Sequence, residues 1–130
     1  MKNVNDKELA AVIALSGPDR YGYFVRTVAD SEELWTLRSA DGFALVAAAD
    51  ERELVPVWPH RRFAEAWAEI QRKGAEPAVV SLERWFEAWT TGLKKDDRGV
   101  AVFPVPNGQG VVVTPDQLHE DLSAECSQYE

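Results

Sequence analysis

One cysteine, Cys126, leaves no partner for an intramolecular disulfide, which excludes a small secreted scaffold held together by bridges. Histidine is almost as scarce. His60, His119 and Cys126 fall in neither C-x-x-C nor H-x-x-x-H spacing, and the last two stand two helical turns apart, so no metal site is expected. No apolar run approaches the roughly 20 residues that a membrane span needs. The apolar patch Leu9–Leu15 is flanked by Asp6 and Glu8, where a leader sequence wants positive charge, and reads as a helix of the mature protein. Basic residues are outnumbered, 14 against 22 acidic, for a net charge of −8. That balance repels phosphate backbones and argues against nucleic-acid binding. The expectation is a single-domain cytoplasmic protein with no cofactor, no membrane association and no nucleic acid.

The motifs of common chemistries are missing as well. There is no G-x-S-x-G, no P-loop and no G-x-G-x-x-G. Asn107–Gly110 (NGQG) has the glycines of a phosphate loop but no following lysine, and it lies between two apolar stretches, so it reads as a hairpin turn. The carboxylate pairs Glu32-Glu33, Asp50-Glu51 and Asp96-Asp97 are sequential, the pattern of solvated turns rather than of a converging acid and base. Cys126, late in an acidic helix, is badly placed for a reactive thiolate. Nothing here identifies an enzyme.

What the chain has in plenty is aromatic side chains: five Trp, five Phe and three Tyr in 130 residues, enough for a firm core. Asn5 or Asp6 can cap a first helix carrying Leu9, Val12 and Ile13 on one face. Gly17-Pro18 interrupts it, and Tyr21, Phe24, Val25 and Val28 then repeat at helical spacing. Strands are expected at Leu34–Arg38, Phe43–Ala47 and Leu54–Trp58, joined by short turns (Asp41-Gly42 above all) into an antiparallel meander. A helix from His60 to Arg72 puts Phe63, Trp67 and Ile70 on one face. After a strand at Pro77–Val80, Ser81 caps a helix in which Leu82, Trp85, Phe86, Trp89 and Leu93 share a stripe. Strands Val100–Phe103 and Gly110–Val113 follow, linked by an arm whose Pro104 and Pro106 confine it to an edge or a bend. Thr114-Pro115 opens a closing helix with Leu118, Leu122 and Cys126 on a thin stripe and acids from Asp116 to Glu130. The order α-α-β-β-β-α-β-α-β-β-α describes an α+β domain built on an antiparallel sheet of about six strands.

The one cluster that stands out is Trp58, His60, Arg61 and Arg62, where a strand runs into a helix. Cations at a helix N-terminus oppose the macrodipole, so they are not placed there for helix stability. An anion can use that helix end together with both arginines. The plainer reading pairs Arg61 and Arg62 with Glu65, Glu69 or other acids and leaves His60 on the surface. Helical spacing assigns Trp67, Trp85 and Trp89 to the core. Trp35 and Trp58, on strands, are the candidates for an exposed aromatic patch.

Taken together, Val57–Ile70, Ser81–Leu93, Val100–Pro115 and the stretch Arg20–Leu45 resemble a bacterial family known as domain of unknown function 2750 (DUF2750) over nearly the whole chain. The resemblance implies a small bacterial cytoplasmic α+β protein and brings no catalytic residues with it. Two functions are then expected as rivals. One is a non-enzymatic acidic domain that binds a basic protein partner through Trp35, Trp58 or the acidic closing helix. The other is a small-molecule or anion-binding protein, or an undetected enzyme, centred on Trp58, His60, Arg61 and Arg62. A homodimer formed through an edge strand or a helix face is compatible with either.

Overall fold

The computed structural model describes residues 4–48, 50–106 and 108–129, so Asn107 of the expected Asn107-Gly108 turn and the acid Glu130 lie outside the described residues. Helix α1 (Asp6–Ile13) is capped by Asn5, whose Oδ1 accepts the Glu8 N–H at 2.8 Å. Ser16 caps α2 (Gly17–Ser31) in the same manner. Strands β1 (Glu33–Ser39), β2 (Gly42–Phe43), β3 (Val46–Ala47) and β4 (Glu53–Val57) follow, then α3 (Arg61–Gln71) and β5 (Glu76–Ser81). A continuous helical stretch opens as α4 (Leu82–Arg84), widens to a π-helix over Trp85–Trp89 and closes as α5 (Thr90–Lys95). Strands β6 (Gly99–Val102) and β7 (Val111–Val113), helix α6 (Pro115–Cys126) and a 3₁₀ turn (Ser127–Tyr129) complete the chain.

The α+β class is as expected, but the strands do not form one antiparallel sheet. They make two, β2-β1-β5 and β3-β4-β6-β7, and the β4–β6 pair is parallel. The expected strand Phe43–Ala47 divides between them: Phe43 pairs with Arg38, whereas Val46 pairs with Leu54. Proline explains why the sheets stay separate. β1 and β4 meet at one bridge, Trp35 to Trp58, with reciprocal backbone hydrogen bonds of 2.9 and 2.8 Å. Two residues earlier on the same edge Pro56 has no N–H to extend that ladder. Its carbonyl is met instead by the Thr36 hydroxyl at 2.7 Å. The parallel pairing follows from the long excursion through α3, β5 and α4–α5, which returns the chain to β4 in its original direction. β6 is buried along its whole length, as a strand flanked on both sides must be.

The core lies between the sheets and the helices. Trp58, Trp85, Phe24, Phe63 and Phe103 are its largest fully buried side chains. Two expectations for the helices change. Ile70 was placed on the buried face of α3 but is 63% exposed; Phe63, Ala64, Trp67 and Ala68 bury instead, a stripe that has rotated past Ile70 by the end of the helix. The stripe from Leu82 to Leu93 does not follow a regular α-helical period either. The π-turn resets it, with Thr90 Oγ1 donating to the Trp85 carbonyl at 3.2 Å, and Trp89 stacks on Trp85 with ring centroids 5.3 Å apart.

α2 and α6 pack side by side, and their seam is pH-sensitive in a predictable direction. The Tyr21 hydroxyl donates to Asp121 Oδ2, and burial, then that bond and the nearby carboxylate charge, raise its pKa above the ordinary 10.0. The fold therefore favours the neutral phenol. Its contribution to stability is full below pH 10 and is lost as pH rises through the folded-state value. Urea unfolding of wild type and Tyr21→Phe should show wild type the more stable near neutrality, with the gap closing above pH 10. A gap that holds constant with pH would show that the bond contributes nothing to the alkaline limb.

Candidate functional site

The five residues of the expected site do not act as one group. Trp58 is fully buried, with its indole Nε1–H donating to the Pro104 carbonyl at 2.9 Å and its ring 5.4 Å from that of Trp67. It is a core residue and no part of an exposed aromatic patch. A buried indole finds a partner for its N–H when it can, and the carbonyl of a bent proline arm supplies one. His60 is the N-cap of α3: its backbone is extended and its Nδ1 accepts the Arg62 N–H at 3.1 Å. Arg62 turns toward the N-terminal segment, where it donates to the Val4 carbonyl at 2.7 Å and pairs with Asp6 at 2.6 Å. Arg61 pairs along its own helix with Glu65 at 3.3 Å, and its guanidinium sits 5.9 Å from the centre of the Trp35 ring. The two arginines thus serve different carboxylates.

Trp35, His60 and Arg61 do come together, in a cleft of about 720 Å³ between the end of α2, the start of α3 and one face of the three-stranded sheet. Trp35 and its register partner Val79 lie on that face, Trp35 half-buried and Val79 52% exposed. The opposite rim carries Asp30 and Glu33. Local conformation puts them there. α2 ends at Glu32 in the left-handed region (φ 60°), and the chain reverses directly into β1. Glu33 therefore points to the same side of the strand as Trp35, two residues on. Among the described residues neither Asp30 nor Glu33 makes an ion pair. By sequence alone Asp30-Ser31-Glu32-Glu33 closes the second helix or forms the loop after it, with no place in a site for Asp30 or Glu33; the structure ends α2 at Ser31, with Glu32 as its C-cap. The available signal was their position immediately before a strand that carries an unassigned tryptophan.

The acidic closing helix is less free than its composition suggests. Leu118 and Leu122 bury it against the core, Asp116 pairs with Lys94 at 3.2 Å, and Asp121 is engaged by Tyr21 and Gln117. Among the described residues, no three His, Cys, Asp or Glu side chains gather as they would around a metal ion. No helix among them is long and apolar enough to cross a membrane.

A search of curated proteins finds no match to this chain. A family model does match, from Tyr21 near the start of α2 to Leu122 in α6, a span that holds both sheets and all of the cleft except Val4. With residues 21–122 matched, the chain belongs to the family described as "Protein of unknown function (DUF2750)".

Proposed function

We propose that this protein is a non-enzymatic interaction domain whose Trp35 cleft receives a basic segment of a partner protein. The observation that carries the reading is the pair Asp30 and Glu33, carboxylates without ion-pair partners among the described residues, facing an aromatic and aliphatic floor. A lysine or arginine suits such a site at both ends. Its methylene stem lies on Trp35 and Val79 while its charged head meets the carboxylates. Arg61 stands in the same cleft but has Glu65 for its charge. The net charge of −8 adds a long-range field that speeds encounter with a basic partner. The half-buried cysteine, outside any disulfide, fits the reducing cytoplasm of a bacterium, where we place the protein. The rival reading, an anion gripped jointly by Arg61 and Arg62, draws little support from arginines that serve different carboxylates.

Calorimetric titration with an acetylated, amidated tetra-arginine peptide at low salt tests the reading. Asp30→Asn combined with Glu33→Gln should weaken binding by about ten-fold or more, the size of one or two lost charge-assisted contacts. Glu120→Gln combined with Glu125→Gln on α6 should change it little. The reverse pattern would move the interaction surface to the closing helix and end the case for the cleft.

A further inference from the structure

A second concavity, separate from the Trp35 cleft, lies on the outer face of the four-stranded sheet. It is a groove of about 770 Å³, within the range of small-molecule sites. Leu54, Ala101 and Val112 form its floor, Trp67 of α3 stands on one side, and the arm carrying Pro104 and Pro106 closes another. That arm is rigidly built. Gln71 donates to the Pro106 carbonyl at 2.8 Å, and Val105 and Gly108 exchange backbone hydrogen bonds of 3.1 Å. At Gly110 a Cβ would stand 2.7 Å from the Val102 carbonyl oxygen, so only glycine lets the arm return this close to β6.

Arg52 lies at the rim of the groove. Its guanidinium carbon packs over Gly99, 3.6 Å from where a Cβ on that residue would be, an ordinary contact distance. Its Nε is buried, yet the side chain has neither a hydrogen bond nor an ion pair. A buried, charged donor without an acceptor is costly, and it marks a place where an acceptor belongs. The geometry points to a binding site for a small monocarboxylic acid with an apolar body, its carboxylate on Arg52 and its hydrocarbon along Leu54, Ala101 and Val112. Neighbouring groups narrow the class. Asp50 gives one carboxylate oxygen to the Arg52 backbone N–H at 3.1 Å and keeps its charge at the rim, which disfavours a second anionic group on the ligand. Pro104 and Pro106 have no N–H, and those of Val105 and Gly108 are taken. An extended peptide would therefore find no backbone donor at any of these four positions, which favours a small molecule.

Equilibrium dialysis of the full-length protein against decanoate and decanol, below their aggregation limits, tests this independently of the cleft. Decanoate should bind saturably at one site, about ten-fold or more tighter than decanol. Arg52→Gln should remove that preference while leaving decanol binding intact. Val112→Glu, at a position 44% exposed where a glutamate reaches solvent without disturbing the core, should abolish decanoate binding. Equal affinity for acid and alcohol in the wild type, no saturable binding of either, or unchanged decanoate binding by Val112→Glu would each overturn the assignment.

Discussion

Trp58→Ala is expected to lower the free energy of unfolding by about 3–5 kcal/mol, the usual range for deleting a buried tryptophan. A domain of this kind has only about 5–15 kcal/mol in total, so the variant should be mostly destabilised or unfolded at 37 °C. The size of the effect follows from the residue's position. Trp58 is fully buried and lies against Trp67, and its side chain packs beside the backbone bridge to Trp35 where the two sheets meet. Its indole N–H also fixes the arm at Pro104. Trp58→Phe separates these contributions by keeping most of the apolar volume while orphaning the Pro104 carbonyl, for an expected loss of about 1–3 kcal/mol. Urea unfolding followed by circular dichroism measures both. A cost below about 1 kcal/mol for the alanine variant would contradict the burial described here.

Arg20→Met should cost about 2–5 kcal/mol, although the position is formally polar and the replacement keeps an apolar stem of similar length. Arg20 is only 8% exposed and donates to the carbonyls of Phe103, Leu15 and Gln109 at 3.3, 2.5 and 3.2 Å. Those three carbonyls belong to the end of β6, the α1–α2 junction and the arm, so one guanidinium ties the start of α2 to both ends of the arm, more than 80 residues away. Burial lowers its pKa, but arginine remains charged throughout the ordinary pH range. The bond to Phe103 has a further role. Phe103 is an aromatic residue in the left-handed region (φ 56°), a conformation that costs about 1–3 kcal/mol for a bulky side chain. It persists because its N–H is held by the Val57 carbonyl at 2.8 Å, its C=O by Arg20, and its ring by Phe63 at 4.8 Å. Without the guanidinium the arm should loosen first, so amide exchange at Val105 and Gly108 should accelerate more than at β4. Arg20→Lys should rescue only in part, because a point-like ammonium cannot span three separated carbonyls. A stability equal to wild type in Arg20→Met would show that the three bonds do not hold the arm.

Much of the fold was legible because its signals are local. Asn5, Ser81 and Thr114 cap helices as their side-chain chemistry dictates, and Asp41-Gly42 does mark the β1–β2 hairpin. What was not legible depends on partners far along the chain. No local pattern separates a strand that pairs antiparallel from one that pairs parallel, so the β4–β6 ladder could not be read from Leu54–Trp58 and Val100–Phe103 alone. Pro56 did carry a usable hint, since a proline within a strand disrupts one edge of its pairing. The site fared similarly. A dense cluster of charge and aromatics drew attention to Trp58–Arg62, yet tertiary contacts send Trp58 inward and Arg62 to Asp6. Only Trp35, His60 and Arg61 remain together, and the acids that complete the cleft come from the end of α2 and the start of β1.

The most direct test of the docking cleft is to find where a basic segment lands. Two-dimensional NMR of the labelled protein, titrated with the same tetra-arginine peptide, resolves the indole N–H of each of the five tryptophans. The cleft reading predicts shifts at the Trp35 indole and at the amides of Asp30, Glu33 and Val79, with the buried Trp58 and Trp85 indoles unmoved. Shifts confined to α6, or spread evenly over the acidic surface with Trp35 silent, would contradict it.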